Sequence, residues 1–404
     1  MSQPLAGLKV IEATMWAFVP AAGALLAEWG ADVVKIEPPS GDPMRAASSW
    51  GMAPGDRGFT LNWDVYNRGK RGVVLDLAAP GGVELLYKLV AEADVFLTNM
   101  LPDARRKLRI DVDDIRAVNP QIVYATGTGQ GPLGAEAEKG GFDFITFWAR
   151  SGCAAGITPE GFPYPVGMPS PAFGDVIAGM ALAGGVAAAL LNRARTGEGS
   201  VVDGSLLATG MWGMQMNIIG SKLSGVAEMP KMVRSTFPNP LVNSYRTADD
   251  RWVFLNMLQS QRYWAGFCRA IGREDLVEDP RFVTDTARTA NRAACIAELE
   301  QVFATQPLAE WRKRLAAQEG QWDVMQQPGD LPADGQALAN RYVQDVDYGD
   351  GRVLTMVSGP VQFDRVPPTL RPAPAYGQHT EEVLMELGMD MDQIIDAKIA
   401  GFVG

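Results

Sequence analysis

The feature that most constrains the fold is a regular alternation of short β-branched runs with helical segments. Residues 8–12 (LKVIE) and 32–36 (DVVKI) have the composition of buried strands, and the segment between them has helical spacing that ends at Gly30. Further strand-like runs, each separated by a helical segment, are GVVLDL, DVFLTNM and QIVYATGTG. Strands that alternate with helices predict an α/β fold with a parallel sheet covered on both faces.

The chain changes character near residue 225. NPLVNSYRTADDRWVFLNM contains two strand-like runs joined by a turn at Asp249 and Asp250, and amphipathic helices follow. This segment predicts a smaller α+β domain. We expect a large domain over 1–200 that is completed by about 335–404, a linker over 201–225 and the small domain over 226–325.

Charge and hydropathy restrict the partners. The net charge of −11 opposes nucleic-acid binding, which needs a basic face. The first residues contain no basic segment leading into an apolar one, so we expect a cytoplasmic protein. The longest apolar stretch, VIAGMALAGGVAAALL, has about 16 residues, which suits a buried helix better than a membrane span. We therefore expect neither nucleic acid nor membrane as a partner.

The scarcity of histidine and cysteine limits the chemistry. His379 is the only histidine, and we expect it just before a helix whose cap is Thr380. The three cysteines, Cys153, Cys268 and Cys295, are far apart and lack the close pairs of zinc and redox motifs, so we expect reduced, structural thiols and no metal. Catalysis must therefore depend on carboxylates.

The segment GQGPLG (129–134) partly resembles a dinucleotide fingerprint. Its glycines follow a predicted strand, as the fingerprint requires. Pro132 and the polar residues after it do not open a long helix, and no acidic residue lies about 20 positions further on. The sequence therefore predicts no nicotinamide cofactor.

Asp175, in FGDVIAG, begins the longest apolar helix and has two explanations. As an N-cap, its side chain would accept a backbone N–H of the first turn and contribute about 0.5–2 kcal/mol. As a reactive group, it would use the N–H donors of the same helix end to stabilise its charge and a neighbouring oxyanion. The residues alone leave both explanations open.

Two basic clusters lie near predicted connections between strands and helices. They are NRGKRG (67–72) and DARRKLR (103–109). Such runs are usually solvated, but in an acidic protein they could hold a polyphosphate by charge-assisted hydrogen bonds.

Eight sequence blocks, in order, resemble the CaiB/BaiF family, the class III (formyl-CoA transferase-like) CoA-transferases. The resemblance runs from Leu5 to about Leu387. It includes the opening block up to GDPMR, NRGKRGVVLDL, ADVFLTNMLPDARRKL, NPQIVYATGTGQGPLG, GGFD, PSPAFGDVIAG with the helix after it, NPLVNSYRTADDRW and GQHTEEVL.

This resemblance implies a Rossmann-like large domain, a smaller domain and a homodimer of two interlocked subunits. It also implies an enzyme that moves coenzyme A from an acyl-CoA to a carboxylic acid, with Asp175 as the covalent nucleophile. The carboxylate would attack the thioester to give an aspartyl anhydride, which CoA thiolate would reopen to an enzyme-bound thioester. No general base is needed.

The resemblance also implies a CoA site. The positions that match it are Met15, Trp16, Ala17, Leu75 to Ala78, Asn99, Met100, Ala104, Lys107, Phe142, Asp143 and Leu206. Lys107 is the best phosphate ligand. Ala17, Pro38 and Ala78 stand where related enzymes carry glutamine, arginine and lysine, and we expect Arg45, Lys70, Arg71 or Arg105 to compensate.

The acids themselves are not identified. The segment before NPLVNSY lacks the glycine-run loop of enzymes for oxalate and formate. The resemblance instead favours larger acids, such as 2-hydroxy, aryl or bile acids.

Two other functions stay open. An α-methylacyl-CoA racemase uses a histidine and an aspartate as its two bases. That pair matches Phe142 and Asp143, and phenylalanine cannot exchange a proton. A non-catalytic acyl-CoA-binding protein of the same fold is the second alternative.

Overall fold

The computed structural model describes residues 3–50, 58–231 and 233–404. Its central element is a sheet of six parallel strands in the order β3-β2-β1-β4-β5-β6. The strands are β1 (Lys9–Ala13), β2 (Asp32–Glu37), β3 (Arg71–Val74), β4 (Val95–Thr98), β5 (Val123–Thr128) and β6 (Val201–Ser205). This order is that of Rossmann-like folds, so the predicted α/β class is confirmed.

The chain divides into two compact units, residues 1–229 with 335–404, and residues 230–334. The first unit contains the parallel sheet and most of the helices. Its helices are α1 (Phe18–Glu28), α2 (Leu61–Asn67), α3 (Pro80–Ala91), α4 (Pro102–Leu108), α5 (Val112–Val118), α6 (Cys153–Ile157), α7 (Phe173–Thr196), α8 (Leu206–Gly213) and α9 (Gln215–Ser224). A 3-10 helix spans Pro43–Trp50, and a π-helix spans Phe144–Arg150.

Successive strand residues point to opposite faces of the sheet, and this alternation creates two cores. On one face, Val10 and Val33 pack with the apolar residues of α1 and α7. On the other face, Ile11 and Val34 pack with α3, α5 and two later helices. Both faces of the sheet are therefore covered, as predicted.

The second unit is a small α+β fold. Its antiparallel sheet has the order β7-β8-β9, with β7 (Val242–Arg246), β8 (Trp252–Asn256) and β9 (Trp322–Val324). The helices are α10 (Ser260–Ala270), α11 (Asp285–Ala290), α12 (Arg292–Phe303) and α13 (Leu308–Leu315), with 3-10 turns at Arg234–Thr236, Glu274–Leu276 and Pro328–Ala333. The predicted turn is present, with Asp250 in the left-handed region at φ 59°.

The cysteines carry no disulfide. Cys268 and Cys295 are fully buried in the second unit, and burial raises the pKa of each thiol to about 12. Cys153 is a free thiol at the start of α6. The prediction of reduced thiols is consistent with this arrangement, since a thiol with a raised pKa is a poor nucleophile at neutral pH.

Residues 335–404 return to the first unit. They form α14 (Gly335–Ala339), the antiparallel hairpin of β10 (Val343–Asp347) and β11 (Val353–Val357), α15 (Thr380–Glu386) and α16 (Met391–Ile399). His379 precedes α15 as predicted, but Thr380 is not its cap. The Thr380 hydroxyl instead accepts a hydrogen bond of 3.1 Å from the Val74 amide, and the His379 ring accepts one of 3.1 Å from the Gly72 amide.

Helix α7 crosses α1 at close range. A Cβ atom at Gly179 would lie 2.7 Å from the backbone oxygen of Phe18, so only glycine fits. The helix is longer than the predicted apolar stretch and is long and apolar enough, by length and composition, to cross a membrane. Its packing on α1 and the sheet explains the apolar composition equally well.

This close crossing makes a stability prediction. Gly179→Ala is expected to destabilise the protein by about 1–3 kcal/mol, because the new methyl group meets backbone atoms that cannot move aside. Gly184→Ala on the same helix is the matched control, since nothing lies within 4 Å of its added Cβ. Alanine there is expected to stabilise the helix by up to about 1 kcal/mol. Urea unfolding of both variants measures the difference, and equal effects would contradict the assigned crossing.

Candidate functional site

The site lies where the strand order reverses. Strands β1 and β4 are neighbours, and the connections that follow them lead to opposite sides of the sheet, which opens a crevice at the carboxyl ends of the strands. Asn99 follows β4 and binds both backbone groups of Met15, which follows β1. Its Oδ1 accepts from the Met15 amide at 3.0 Å, and its Nδ2 donates to the Met15 carbonyl at 2.5 Å. These two predicted site residues therefore meet directly.

A buried lysine holds the same turn from the other side. Lys35 Nζ donates to the Thr14 carbonyl at 3.0 Å and lies 3.0 Å from the Asp42 carboxylate, and both side chains are completely buried. Asp42 in turn accepts a hydrogen bond of 3.3 Å from the Trp16 amide. Trp16 has φ 70°, a left-handed conformation that costs energy for a residue with a side chain. The Lys35–Asp42 pair therefore fixes a strained turn at the crevice.

The first basic cluster is not a phosphate site. Lys70 is completely buried and pairs with Glu12 at 2.7 Å, and this burial lowers the pKa of its ammonium group to about 7. Arg68 pairs with Glu28, and Arg71 pairs with the carboxylates of Asp32, Glu382 and Glu386. The hypothesis that NRGKRG holds a polyphosphate is therefore wrong, because all three cations already have carboxylate partners.

A loop after β5 brings Phe142 and Asp143 to the N-terminus of α7. At the base of this loop Gly129 lies against Gly141, where a Cβ on Gly129 would approach the Gly141 Cα to 2.7 Å. This glycine of the apparent dinucleotide fingerprint thus serves a chain crossing. The Asp143 carboxylate then accepts a hydrogen bond of 3.1 Å from the Gly174 amide, so Asp143 caps α7.

Asp175 lies in the first turn of α7 but does not cap it. The helix begins at Phe173, and the residue before it, Ala172, has φ 55°. The N-cap interpretation of Asp175 is therefore wrong, because Asp143 supplies the cap from a distant loop. Within the described residues, no hydrogen bond or ion pair holds the Asp175 carboxyl, which is 8% exposed.

Burial and a neighbouring charge control the Asp175 carboxyl. Loss of hydration and, to a smaller extent, the negative charge of Asp143 together raise its pKa to about 8. Burial also raises the pKa of Asp143, although backbone N–H groups including that of Gly174 oppose this shift. The carboxylate pair, Asp143 and Asp175, is thus poorly hydrated. At Asp143, backbone N–H groups partly offset the loss of hydration. Such perturbed acids concentrate at reactive sites.

Aromatic rings lie on the segments that adjoin the carboxylate pair. The rings of Trp16 and Phe142 meet edge to face at 5.3 Å between centroids. Trp16 and Ala172 pack against one cluster of buried residues, which consists of Ala17, Ala21, Met44, Trp63, Tyr66 and Ala373. Phe142 is 53% exposed in the single chain. The turn after β1, the Asp143 loop and the start of α7 therefore form one continuous site.

The remaining predicted CoA residues are more dispersed. Ala104 and Lys107 lie on α4, beyond Asn99 and Met100, and Lys107 is exposed and makes no ion pair in the described part of the chain. Leu75 is fully buried at the end of β3, Ala78 is exposed in the next loop, and Leu206 is buried at the start of α8.

Arg45 is already engaged. Its guanidinium pairs with Glu37, at 2.7 Å from Nε and 2.6 Å from Nη2, and lies 3.5 Å from the centre of the Trp63 ring. Arg105 pairs with Asp111 at 3.0 Å. Each of the three arginines expected to compensate for missing CoA contacts is therefore paired with a carboxylate. They are Arg45, Arg71 and Arg105.

Lys35, Asp42 and Tyr66 are site residues that were not predicted from the sequence. A signal for Lys35 was present, because a lysine inside the buried run DVVKIE requires a buried partner, and Glu12 stands in the adjacent run LKVIE. No comparable signal identifies Tyr66, since an aromatic residue in an amphipathic segment is ordinarily part of a core.

Comparison with known proteins gives a consistent result over nearly the whole chain. Residues 5–380 match the family model of CoA-transferase family III. The (R)-2-hydroxy-4-methylpentanoate CoA-transferase of Clostridioides difficile is 33% identical over 400 residues, which cover 98% of each chain. The cinnamoyl-CoA:phenyllactate CoA-transferase of Clostridium sporogenes is 32% identical, with 96% of this chain and 94% of the relative covered. The crystal structure of a CAIB/BAIF family protein from Brucella suis superposes with a TM-score of 0.80 at 28% identity, covering 96% of this chain and all of that one.

The raised pKa of Asp175 predicts a pH-dependent stability difference. An unfolded aspartate ionises near pH 3.8, whereas the folded carboxyl holds its proton up to about pH 8. The folded state therefore binds the extra proton between these values, and Asp175 lowers stability increasingly as pH rises through this window. Asp175→Asn cannot ionise and is expected to be more stable than the parent by a few kcal/mol at pH 8, and about equal near pH 4. Urea unfolding at both pH values tests this, and a difference that does not change with pH would contradict it.

Proposed function

The chain belongs to CoA-transferase family III, and we propose that it moves CoA from an acyl-CoA to a carboxylic acid through a covalent intermediate on Asp175. The observation that carries this proposal is the state of that carboxyl. It is buried in the first turn of α7, beside Asp143, with no side-chain partner in the described residues and a pKa raised to about 8. A structural aspartate would have a partner for its charge, whereas a nucleophile must keep its oxygen free.

Once the Asp175 carboxyl is ionised, the reaction needs no further proton transfer. A carboxylate oxygen of Asp175 attacks the thioester carbonyl, the carbon–sulfur bond breaks, and CoA leaves as a thiolate. The thiolate then attacks the aspartyl carbonyl of the anhydride, releases the donor acid as a carboxylate and leaves CoA bound to Asp175 as a thioester. The acceptor carboxylate attacks this thioester, and the same two steps run in reverse. A chain with a single histidine, itself bonded to the Gly72 amide, can therefore catalyse the transfer.

The raised pKa of Asp175 favours attack. A carboxylate of higher basicity is a stronger nucleophile, and a poorly hydrated one loses less solvation when it bonds to carbon. The Asp143 charge adds to the basicity and also orders the N-terminal turn of α7 through its bond to the Gly174 amide. Within the carboxylate pair, Asp175 is therefore the reactive group and Asp143 positions it.

We place CoA along the loops that follow β1 and β4. Met15 and Asn99 fix the floor of this crevice, Trp16 and Phe142 supply apolar surface for the pantetheine arm, and the exposed Lys107 on α4 supplies a cation for phosphate. Arg45 could contribute only through Nη1, because its other donors bond to Glu37 and Pro374. Lys107 is therefore the stronger phosphate ligand.

The acceptor acid is proposed only as a class. The two relatives described above are named for a 2-hydroxy acid with a branched chain and for phenyllactate, which supports acids larger than formate or oxalate. The cytoplasmic location stays a prediction.

We also propose a homodimer of interlocked subunits. Helices α8 and α9 expose large apolar side chains in the single chain, among them Trp212 at 74%, Met216 at 78% and Leu223 at 83%. A contiguous apolar surface of this kind marks an interface between proteins. Burial of these residues against a second copy would remove the exposed apolar surface of both helices from water.

The interlocked arrangement predicts unusual behaviour on dilution. Light scattering after size exclusion is expected to give twice the mass of one chain, and the same mass at nanomolar protein, since linked subunits separate only when a chain unfolds. Dissociation and loss of helical signal are therefore expected to coincide in urea. A monomer that appears on dilution while still folded would overturn the interlocked arrangement but not the transfer chemistry.

The covalent intermediate predicts a trapped product. Hydroxylamine added with an accepted acyl-CoA is expected to convert Asp175 to its hydroxamate, identified by peptide mass spectrometry, because both the anhydride and the thioester are cleaved by this nucleophile. Asp175→Asn is expected to show no label and no transfer, whereas Asp143→Asn, the matched control, keeps the nucleophile and is expected to be labelled at Asp175. Full transfer activity in Asp175→Asn would refute the covalent mechanism.

A further inference from the structure

Tyr66 is a buried tyrosine whose hydroxyl has no hydrogen-bond partner among the residues that the structure describes. It lies near the end of α2 and is 7% exposed. Within residues 3–50, 58–231 and 233–404 its oxygen makes no hydrogen bond, yet that oxygen is not sealed in the core. Buried tyrosine hydroxyls almost always have a partner, so this one requires an explanation.

Other buried tyrosines of the chain follow the rule. The Tyr124 hydroxyl donates to the Ile110 carbonyl at 2.8 Å, and the Tyr245 hydroxyl donates to the Pro240 carbonyl at 2.6 Å. The Tyr348 hydroxyl donates to Asp64 at 2.7 Å. Tyr66 differs from them in its surroundings, because it is the tyrosine of the cluster on which Trp16 and Ala172 pack.

This location puts Tyr66 against residues that adjoin the carboxylate pair. Ala172 immediately precedes α7, and Trp16 contacts Phe142, the neighbour of Asp143. Burial raises the pKa of Tyr66 to about 12, and the charges of Asp175 and Asp143 contribute to the increase. The phenol is therefore un-ionised at any working pH and keeps its proton for donation.

The ionised side chains at this end of α7 cannot act as donors. Asp143 accepts the Gly174 amide, and as carboxylates both acids present only acceptor oxygens to a bound substrate. A thioester entering the site would bring a carbonyl oxygen that gains negative charge during attack, and that oxygen needs a donor in a poorly hydrated environment.

We propose that the Tyr66 hydroxyl donates a hydrogen bond to the acyl oxygen of the substrate while the Asp175 carboxylate attacks its carbonyl carbon. The inference rests on the proposed function, since it assigns a partner to the same reaction. As the new carbon–oxygen bond forms, the carbonyl π electrons move onto oxygen, and the phenol stabilises that oxygen without giving up its proton. When the carbon–sulfur bond breaks, the electrons return and the hydrogen bond weakens. The substrate oxygen would thus be the partner that the Tyr66 hydroxyl does not find among the described residues.

The test compares Tyr66→Phe with Tyr124→Phe. The first change removes a hydroxyl without an acceptor in the chain, so Tm is expected to stay unchanged. The transfer kcat is expected to fall about 10²-fold, the effect of removing one oxyanion donor, with little change in the KM for acyl-CoA. The second change leaves the Ile110 carbonyl without its donor, so Tm is expected to fall while kcat stays at the parent value.

The pH profile separates donation from other roles. Because the phenol does not titrate in the working range, Tyr66→Phe is expected to lower the plateau of kcat without shifting the limb that reports Asp175. Parent activity in a folded Tyr66→Phe enzyme, or a loss explained entirely by a higher KM, would overturn the inference.

Asp175→Asn, measured in the same series, distinguishes failure of this inference from failure of the proposed function. If it is inactive while Tyr66→Phe is fully active, the inference fails and the proposed function stands. If Asp175→Asn keeps transfer activity, the proposed function itself fails.

Discussion

The functional site depends on one buried ion pair, that of Lys35 with Asp42. A lysine in the middle of a sheet is costly unless its charge is compensated, because several kcal/mol of hydration are lost. Here the ammonium is surrounded by carboxylates of Asp42 and Glu12 and by the Thr14 carbonyl, all fully enclosed. The same contacts determine where β1 ends and how the next residues turn. Asp42 holds the Trp16 amide from one side and Asn99 holds Met15 from the other, and these bonds support the left-handed conformation of Trp16.

The position of this turn also determines the position of the reactive group, Asp175. Trp16 positions Phe142, whose neighbour Asp143 caps the helix that carries Asp175. The two carboxyls are placed where folding alone would avoid them, since each is buried and the charge of Asp143 disfavours ionisation of Asp175. Stability and reactivity therefore oppose one another at this site, as they commonly do where an enzyme holds a poorly hydrated nucleophile. The large cores on both faces of the sheet supply the stability that makes this arrangement tolerable.

Local sequence patterns predicted the fold better than they predicted the partners of charged residues. The alternation of LKVIE, DVVKI and later runs gave the parallel sheet, because strand and helix periods are properties of short segments. Asp175 was one candidate for the cap of α7, but the cap is Asp143, which lies 31 residues away from the Gly174 amide it accepts from. The cations of NRGKRG appeared free for phosphate, yet Lys70 and Arg71 pair with Glu12 and Asp32, 58 and 39 positions away. Such long-range pairs leave no local pattern, and only a charged residue inside an apolar run, like Lys35, indicates that a partner exists.

The outer edge of β3 is covered by segments that are synthesised much later. The Gly72 amide bonds to His379 across 307 positions, the Val74 amide bonds to Thr380, and Leu75 forms a bridge with Val403. Contacts this distant in sequence close late, because a long loop must be ordered first. During synthesis on the ribosome, the edge amides of β3 therefore stay unpaired while some 300 residues are added. Residues 230–334 have their own core and could collapse in that interval. The β3 edge is thus open to wrong strand pairing until the final segment emerges, and a chaperone that covers it during synthesis would favour the native sheet.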